Sequence, residues 1–483
     1  MLQERINRAS FRPYHDRGEI IMNNQIDRRD FLRVSAATAA GAVAAGTGIA
    51  QQAAGPSRPI RLGFVGIGGR GSYHLDCALG VEGVVVAAVC DIDDNALFKA
   101  KRWVEEAGQP SPATYGDSRT AYRALCEKED LDCVICCTPW EYHAPCCIAA
   151  MKNGKNAISE VPIILTVEEA WELVEIHEKT GKWATIGLEG YGDLTLANMV
   201  RKGILGEALH AEGGYVHDLR MVKFTPDEEP WRLQHSIDRN GNLYPDHPMS
   251  RIMPLLDINH GDRFDYLVSM STKSVMLSRY AEREYGEKSP YASMKMKQGD
   301  VNVTLLHTEG GKMVTLNFDT NTPHPREFFR LQCTKGVYQS GVSLPQPRPE
   351  GGQPGAPPPG MRMGGRGGMI YIEGRSPVEH EWESAEPYYK EFMHPYLKDL
   401  KPQPRKVALR GHGGGSDATP VTWVRLIAAL KAGKVTDWDV YDSVTSSGIS
   451  PLTEKSVAGG SVPVPFPDFT KGKWKTAKPR EIT

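Results

Sequence analysis

"IRLGFVGIGGRGSYH", residues 60–74, sets an apolar run directly against a cluster of glycines. Ile60–Val65 suits a buried strand, and residues 72–80 suit a helix. Between them, Gly66-Ile67-Gly68-Gly69-Arg70-Gly71 has the GxGxxG spacing, which is weak alone and much more specific in a strand–turn–helix setting. Gly66 permits the tight turn, Gly68 lets the backbone approach a pyrophosphate, and Gly71 lets helix and strand pack closely. The helix N-terminus then offers N–H groups to the phosphates, with Gly69 and Arg70 in the facing loop. "VVVAAVCD" ends in Asp91, about twenty residues beyond Gly71, where a carboxylate binds a ribose 2′-hydroxyl. An acid there repels a 2′-phosphate, so NAD is expected as cofactor rather than NADP.

The alternation continues outward from this unit. An amphipathic helix spans 94–107, "DCVICCTP" reads as a strand, a helix starts near Ala144, and "NAISEV" is a further strand. Thr166-x-x-Glu169 is a capping box opening the next helix, and "WATIGLEGYG" reads as the last strand. Such βαβ alternation implies a parallel sheet with helices on both faces. Thr138-Pro139-Trp140-Glu141-Tyr142-His143 ends a long strand, and in open α/β sheets ligands lie beyond the carboxyl ends of the strands. Thr138, Pro139 and His143 should therefore border the nicotinamide, His143 in a supporting role.

After about residue 205 the pattern changes. "ALHAEGGYVHDL", "SVMLSRYA", "VNVTLLHTEGGKMVTLNFDT" and "FFRLQCTKGVYQSG" read as antiparallel strands, the third folded at Glu309-Gly310-Gly311-Lys312. A sheet with one apolar face needs covering by helices or by another subunit. Residues 342–368 form a Pro/Gly-rich insertion unable to build a core. Helices return near 382–400 and 419–432, and "PVPFPDFTKGKW" reads as an extended surface segment. The expected fold class is α/β: an N-terminal Rossmann domain (58–187) followed by a C-terminal α+β domain (188–470) on an open, mainly antiparallel sheet. Residues 1–57 precede them as signal and linker, and 471–483 form a tail.

The chain of 483 residues suits two domains, and its formal net charge of −2 gives no electrostatic case for nucleic acid or an anionic membrane. Asp27-Arg28-Arg29-Asp30-Phe31-Leu32-Arg33 precedes an Ala/Gly-rich stretch ending near Ala50. A basic n-region with a weak apolar segment and small residues reads as a twin-arginine export signal, with Met22 as an alternative start. The stretch is too weakly apolar for an anchor, so a periplasmic or secreted protein, free of the membrane after cleavage, is expected. Nine cysteines include Cys133-x-x-Cys136, whose side chains on a strand point to opposite faces. Core thiols are expected, and no metal site.

The N-terminal half resembles the glucose–fructose oxidoreductase/inositol dehydrogenase/MocA superfamily through its glycine strand, "CTPxxxH" loop, "NGKNAISEVP" and antiparallel second domain. Most of those dehydrogenases carry Glu-Lys-Pro where this chain has Glu160-Val161-Pro162, their lysine assisting proton transfer from the hydroxyl being oxidised. "LEGYGDLTLANMVRKGILGEALHAEGGYVHDLR", "WRLQHSIDRNGNLYPDH", "DINHGDRFDYLVSMST", "GHGGGSD" and "DWDVYDS" resemble, more narrowly, the NAD-dependent family 109 glycoside hydrolases. That likeness runs from about residue 58 to 475. Glu-Val-Pro is that family's usual tripeptide, and its described members include α-N-acetylgalactosaminidases.

The resemblance implies an NAD-dependent glycosidase that departs from the usual paired-carboxylate route. A sugar is oxidised at C3, loses its C2 hydrogen and its glycosidic oxygen, takes up water and is reduced again. It also implies the residues concerned: Tyr191, His217, Tyr244 and His247 for proton transfer, Glu160 beside cofactor and sugar, and Trp231, Arg232 and His412 as substrate contacts. Tyr and His suit such roles when tuned near neutrality. Each also has a plain structural reading: an end-of-strand tyrosine, a histidine bonded to backbone, a capping glutamate. His15, His74, His235 and His394 read as ordinary. The chain departs from the family where Asp246-His247-Pro248-Met249-Ser250-Arg251 replaces "THGLGP", and where "NTPHPRE" (321–327) replaces "SPRPYSR". The sugar bound is therefore open within a small-carbohydrate class. A sugar dehydrogenase of the wider superfamily is the alternative, a non-catalytic binding protein the third, and a homo-oligomer is expected.

Overall fold

The computed structural model describes residues 58–187, 193–226, 228–324, 329–340, 368–399, 421–435 and 437–479. The run that opens them is β1 (Ile60–Val65), buried at five of its six positions. It is followed by β2 (Val84–Cys90), β3 (Ala113–Tyr115), β4 (Cys133–Cys136), β5 (Asn156–Ser159) and β6 (Ala184–Thr185). All pair in parallel in the order β3-β2-β1-β4-β5-β6. Strands covered on both faces read as continuous apolar runs, which is why "CVIC" is buried throughout. Helices Gly69–Leu79, Asp94–Glu106, His143–Lys152 and Val167–Thr180 alternate with the strands. The last opens with the Thr166/Glu169 capping box. Strand order reverses between β1 and β4, leaving a crevice at their carboxyl ends.

The second sheet comprises β7 (Ala208–Val216), β8 (Phe264–Ser271), β9 (Asn302–Thr308), β10 (Met313–Asp319), β11 (Phe329–Cys333), β12 (Gly336–Ser340), β13 (Gly368–Ile372), β14 (Glu383–Ser384) and β15 (Val464–Pro465). Its order is β14-β13-β12-β11-β7-β10-β9-β8-β15, antiparallel except for the parallel pair β7 and β10. The overall class is therefore α/β, a Rossmann-like parallel sheet followed by a mixed, mainly antiparallel one. Helices Asp246–Leu256 and Val440–Ala458 cover one face. On the other, Tyr266, Met270, Val303, Leu305 and Met313 are exposed.

Helix Val440–Ala458 joins the two sheets. Its Ser443 and Ser447 hydroxyls accept from the N–H groups of Ile186 and Ile163, and its Ser456 hydroxyl accepts from Ser269 N–H. Small side chains let the backbones approach this closely.

Three expectations need correction. "SVMLSRYA" is not a strand: Met276–Tyr285 is a helix burying Leu277 and Ala281, one helical turn apart, with the Asp300 carboxylate accepting from Val275 and Met276 N–H at its start. The first helix begins at Gly69 rather than residue 72, because glycine itself serves as N-cap. In "WATIGLEGYG" only Ala184–Thr185 is strand, and residues 188–192 lie outside the described residues, as does nearly all of the insertion 342–368. No helix among the described residues is long and apolar enough to cross a membrane.

Candidate active site

The glycine loop divides by what surrounds it. Gly66 has φ +78°, and a Cβ there would stand 2.6 Å from the Cys137 carbonyl oxygen. A Cβ on Gly71 would lie 1.9 Å from the Gly66 oxygen. Packing alone dictates these two. Around Gly68 and Gly69 a Cβ would meet nothing within 4 Å, and the helix behind them has no side-chain cap. Open space before an uncapped helix N-terminus fits a pyrophosphate. Asp91 marks the crevice rim: its carboxylate accepts from Ile67 N–H at 2.6 Å and from Asp93 N–H at 3.0 Å. Held in this way, each oxygen keeps a lone pair for ribose hydroxyls.

The loop after β4 forms the opposite rim. His143 bridges two carbonyl oxygens, Thr138 from Nε2 and Pro162 from Nδ1, each at 2.7 Å. The ring thereby clamps the Thr138-Pro139 turn to the segment after β5. Its contacts are those of a loop-fixing residue.

Glu160 follows β5 directly and is nearly buried at 9% exposure. Its Oε1 accepts from Arg70 Nε at 3.1 Å and lies 2.5 Å from His74 Nε2. Trp423 Nε1 in turn donates to His74 Nδ1 at 3.1 Å. Burial alone raises the Glu160 carboxyl's pKa, but the Arg70 charge and the hydrogen bond from His74, joined by whatever positive charge His74 and His247 take up in acid, hold it well below the usual carboxylate range. Val161, beside it, is buried at 2% in the apolar core.

The second sheet supplies the facing wall. Tyr215 on β7 stacks on His247 at 4.9 Å and meets Tyr244 edge-on at 4.7 Å, with His217 6.1 Å away. Tyr244 lies 4.9 Å from His247 and stacks on Trp140 of the first domain at 5.3 Å. The helix carrying His247 approaches β7 over Gly213, where a Cβ would stand 3.2 Å from Pro248. Buried Asp246 anchors that helix by accepting from the Ser446 and Ser447 hydroxyls at 2.6 and 2.9 Å. Ser447 also accepts from Ile163 N–H at 3.1 Å. One serine thus registers the Glu160–Pro162 segment against the Asp246–His247 segment.

Behind Tyr244 a cleft is lined by Trp140, Tyr215, Lys223, Arg232, His235 and Tyr244, among others. The Arg232 guanidinium pairs with Glu229 and lies 4.5 Å from the Trp231 ring, 5.2 Å from Tyr244 and 5.3 Å from Trp140. Burial opposes its charge, but Tyr244 and Glu229 outweigh that and raise its pKa. The His235 ring lies tilted against Trp140 at 4.6 Å, and burial, helped by the Arg239 and Arg232 charges, pushes it down to about 3. Lys223 donates to Thr320 and Asn321 at 2.9 and 2.6 Å, and burial with the Arg232 charge pushes it down to about 7.

The structure thus gathers Glu160, Tyr244 and His247, with His217 one ring further out, and sets Trp231 and Arg232 behind Tyr244. Tyr191 and His412 lie outside the described residues. His74 and His235, ordinary as sequence, sit against Glu160 and Trp140. Lys223 and Ser447 carried no signal, since each depends on partners about a hundred or more positions away.

This fold and glycine crevice define a class of NAD-binding Rossmann proteins. Residues 60–188 match the oxidoreductase family with NAD-binding Rossmann fold, of the Gfo/Idh/MocA type. Solved structures share the fold. A levoglucosan dehydrogenase in complex with NADH and L-sorbose superposes with a TM-score of 0.60 at 18% identity, covering 85% of this chain and 100% of that one. An inositol dehydrogenase homolog with NAD⁺ from Azotobacter vinelandii gives 0.58 at 16%, covering 85% and 98%.

The chain belongs to glycosyl hydrolase family 109. The model of that family's C-terminal domain matches residues 191–476. A family 109 protein of Shewanella baltica is 35% identical over 95% of this chain and 99% of its own, and one of Solibacter usitatus is 35% identical over 94% and 100%.

Proposed function

We propose that the protein is an NAD-dependent glycosidase hydrolysing terminal hexosaminides, with α-N-acetylgalactosaminides the leading substrates. Bound NAD supplies a reversible acceptor for the hydrogen at sugar C3, which acidifies C2–H for elimination. The chain's own residues then move protons. His247, stacked on Tyr215 and facing Glu160, takes the C2 proton. Tyr244, braced by Trp140 and under the Arg232 charge, acts at the departing oxygen, with Tyr191 as base for the C3 hydroxyl. His217 relays protons from the sheet side, and anionic Glu160 orients the sugar. Water then adds at C1 of the unsaturated sugar, C2 regains a proton, and C3 is reduced again, so the sugar leaves at its original oxidation level.

The observation that carries this reading is Val161. The position is an apolar core residue unable to move a proton, while the Tyr244/His247 group gathers on the opposite wall. A sugar dehydrogenase is the second reading, favoured by the oxidoreductase fold of the first domain. Export by a twin-arginine signal and assembly as a homo-oligomer complete the proposal; the exposed apolar residues of β8–β10 support the latter.

A panel of aryl glycosides tests it, with released aryl alcohol and NADH absorbance followed together. Multiple turnovers of aryl release without accumulating NADH are expected. NADH formed in proportion to sugar, with the aryl bond intact, would instead establish the dehydrogenase.

A further inference from the structure

Trp423 reaches Glu160 through His74, and the chemistry of an indole decides how. An indole N–H only donates, so His74 Nδ1, 3.1 Å away, must carry a lone pair. The ring proton therefore sits on Nε2, 2.5 Å from Glu160 Oε1. A second ring proton would force N–H against N–H where His74 is 4% and Trp423 1% exposed. Trp423 has no room to turn aside: it stacks on Phe64 of β1 at 6.3 Å.

We propose that Trp423 locks His74 as the neutral Nε2–H tautomer, making His74 the positioning residue that holds Glu160 oriented and ionised. A ring fixed as the Nε2–H donor stabilises the carboxylate, and with the Arg70 guanidinium on the same oxygen Glu160 keeps its charge. The donors from His74 and Arg70 both fall on Oε1, which leaves Oε2 for a ligand. Glu160 is thus a fixed anion rather than a proton shuttle. This rests on the reading that Glu160 belongs to the site. Among the described residues, the titratable and charged groups around the ring are Glu160 and Tyr73 and, beyond Glu160, Arg70 and His247, with Asp76 further along the same helix.

The test uses the full chain with its nucleotide and the variants Trp423→Phe, His74→Gln and His74→Leu. Nitrogen-15 shifts of the His74 ring, assigned by their loss in His74→Gln, should show one protonated and one bare nitrogen, unchanged from pH 8 to 5. In Trp423→Phe the freed Nδ1 should take a proton within that range, and the turnover profile should gain an acid limb. Glutamine can both accept from the indole and donate to Glu160, so His74→Gln should keep turnover within about threefold of the parent. His74→Leu, losing a hydrogen bond to a charged group, should lower kcat roughly 10- to 100-fold with KM moved less. Two protonated nitrogens in the parent at pH 7, or His74→Leu matching the parent, would overturn the inference. Should Trp423→Phe not fold, the His74 pair and the parent spectrum still decide it. If the parent cleaves no glycoside, the proposed function fails, while the ring spectrum still settles the tautomer.

Discussion

Gly69→Ala and Gly71→Ala separate a nucleotide cradle from a merely tight turn. At Gly71 a methyl would stand 1.9 Å from a backbone oxygen, so the turn must shift, at a cost of about 3 kcal/mol or more by the behaviour of overpacked sites. At Gly69, the first residue of the helix, alanine suits the backbone and a methyl meets no atom within 4 Å. Stability without nucleotide should there change by less than about 1 kcal/mol. The methyl would, however, occupy the space a pyrophosphate needs. Losing close approach of even one phosphate should weaken NAD at least ~10-fold, about 1.4 kcal/mol. Urea unfolding of nucleotide-free protein and calorimetric titration with NAD provide the two readings. Gly71→Ala should fail the first, Gly69→Ala only the second. NAD affinity unchanged in Gly69→Ala, or both variants equally destabilised without nucleotide, would refute the assignment of the crevice.

Further outcomes follow from the same geometry. Lys223, pushed down to about 7 by burial and by Arg232, binds fewer protons folded than unfolded between pH 7 and the ordinary lysine range. Stability should therefore rise with pH across that window, by a few kcal/mol in order of magnitude, and Lys223→Met should flatten the rise in a Tm-versus-pH series. Glu160 has its folded pKa depressed, so its carboxylate stabilises the fold above its ordinary pKa and that contribution is lost on acidification. Glu160→Gln should remove this acid-side dependence and lower turnover roughly 100-fold, as loss of a charged site group does. Leu305 and Met270, exposed on one sheet face, should lie within a subunit interface. Leu305→Glu with Met270→Glu should convert an oligomer to monomer in sedimentation velocity, and a parent already monomeric would contradict this.

The parallel sheet was readable because its signals are local: an apolar run, glycines at fixed spacing, an acid at the next strand end. Glu160, Tyr244 and His247 could be named from motifs, since each sits within a short recognisable stretch. The rest depended on distance. His74 acquires meaning only when Trp423 arrives from 349 positions away. Helix Val440–Ala458 is rich in serine and carries Gly448 and Pro451, so its sequence hides a helix that close packing makes central. Met276–Tyr285 opens on the apolar run Val275-Met276-Leu277, which reads as strand, although Leu277, Tyr280 and Ala281 already fall at helical spacing.

The most direct measurement is the isotopic content of the sugar released from an aryl glycoside in deuterium oxide. Transient oxidation followed by elimination predicts one deuterium at C2 in every product molecule, with the nucleotide still oxidised at the end. Hydrolysis that leaves C2 fully protonated would contradict the account, whatever its rate.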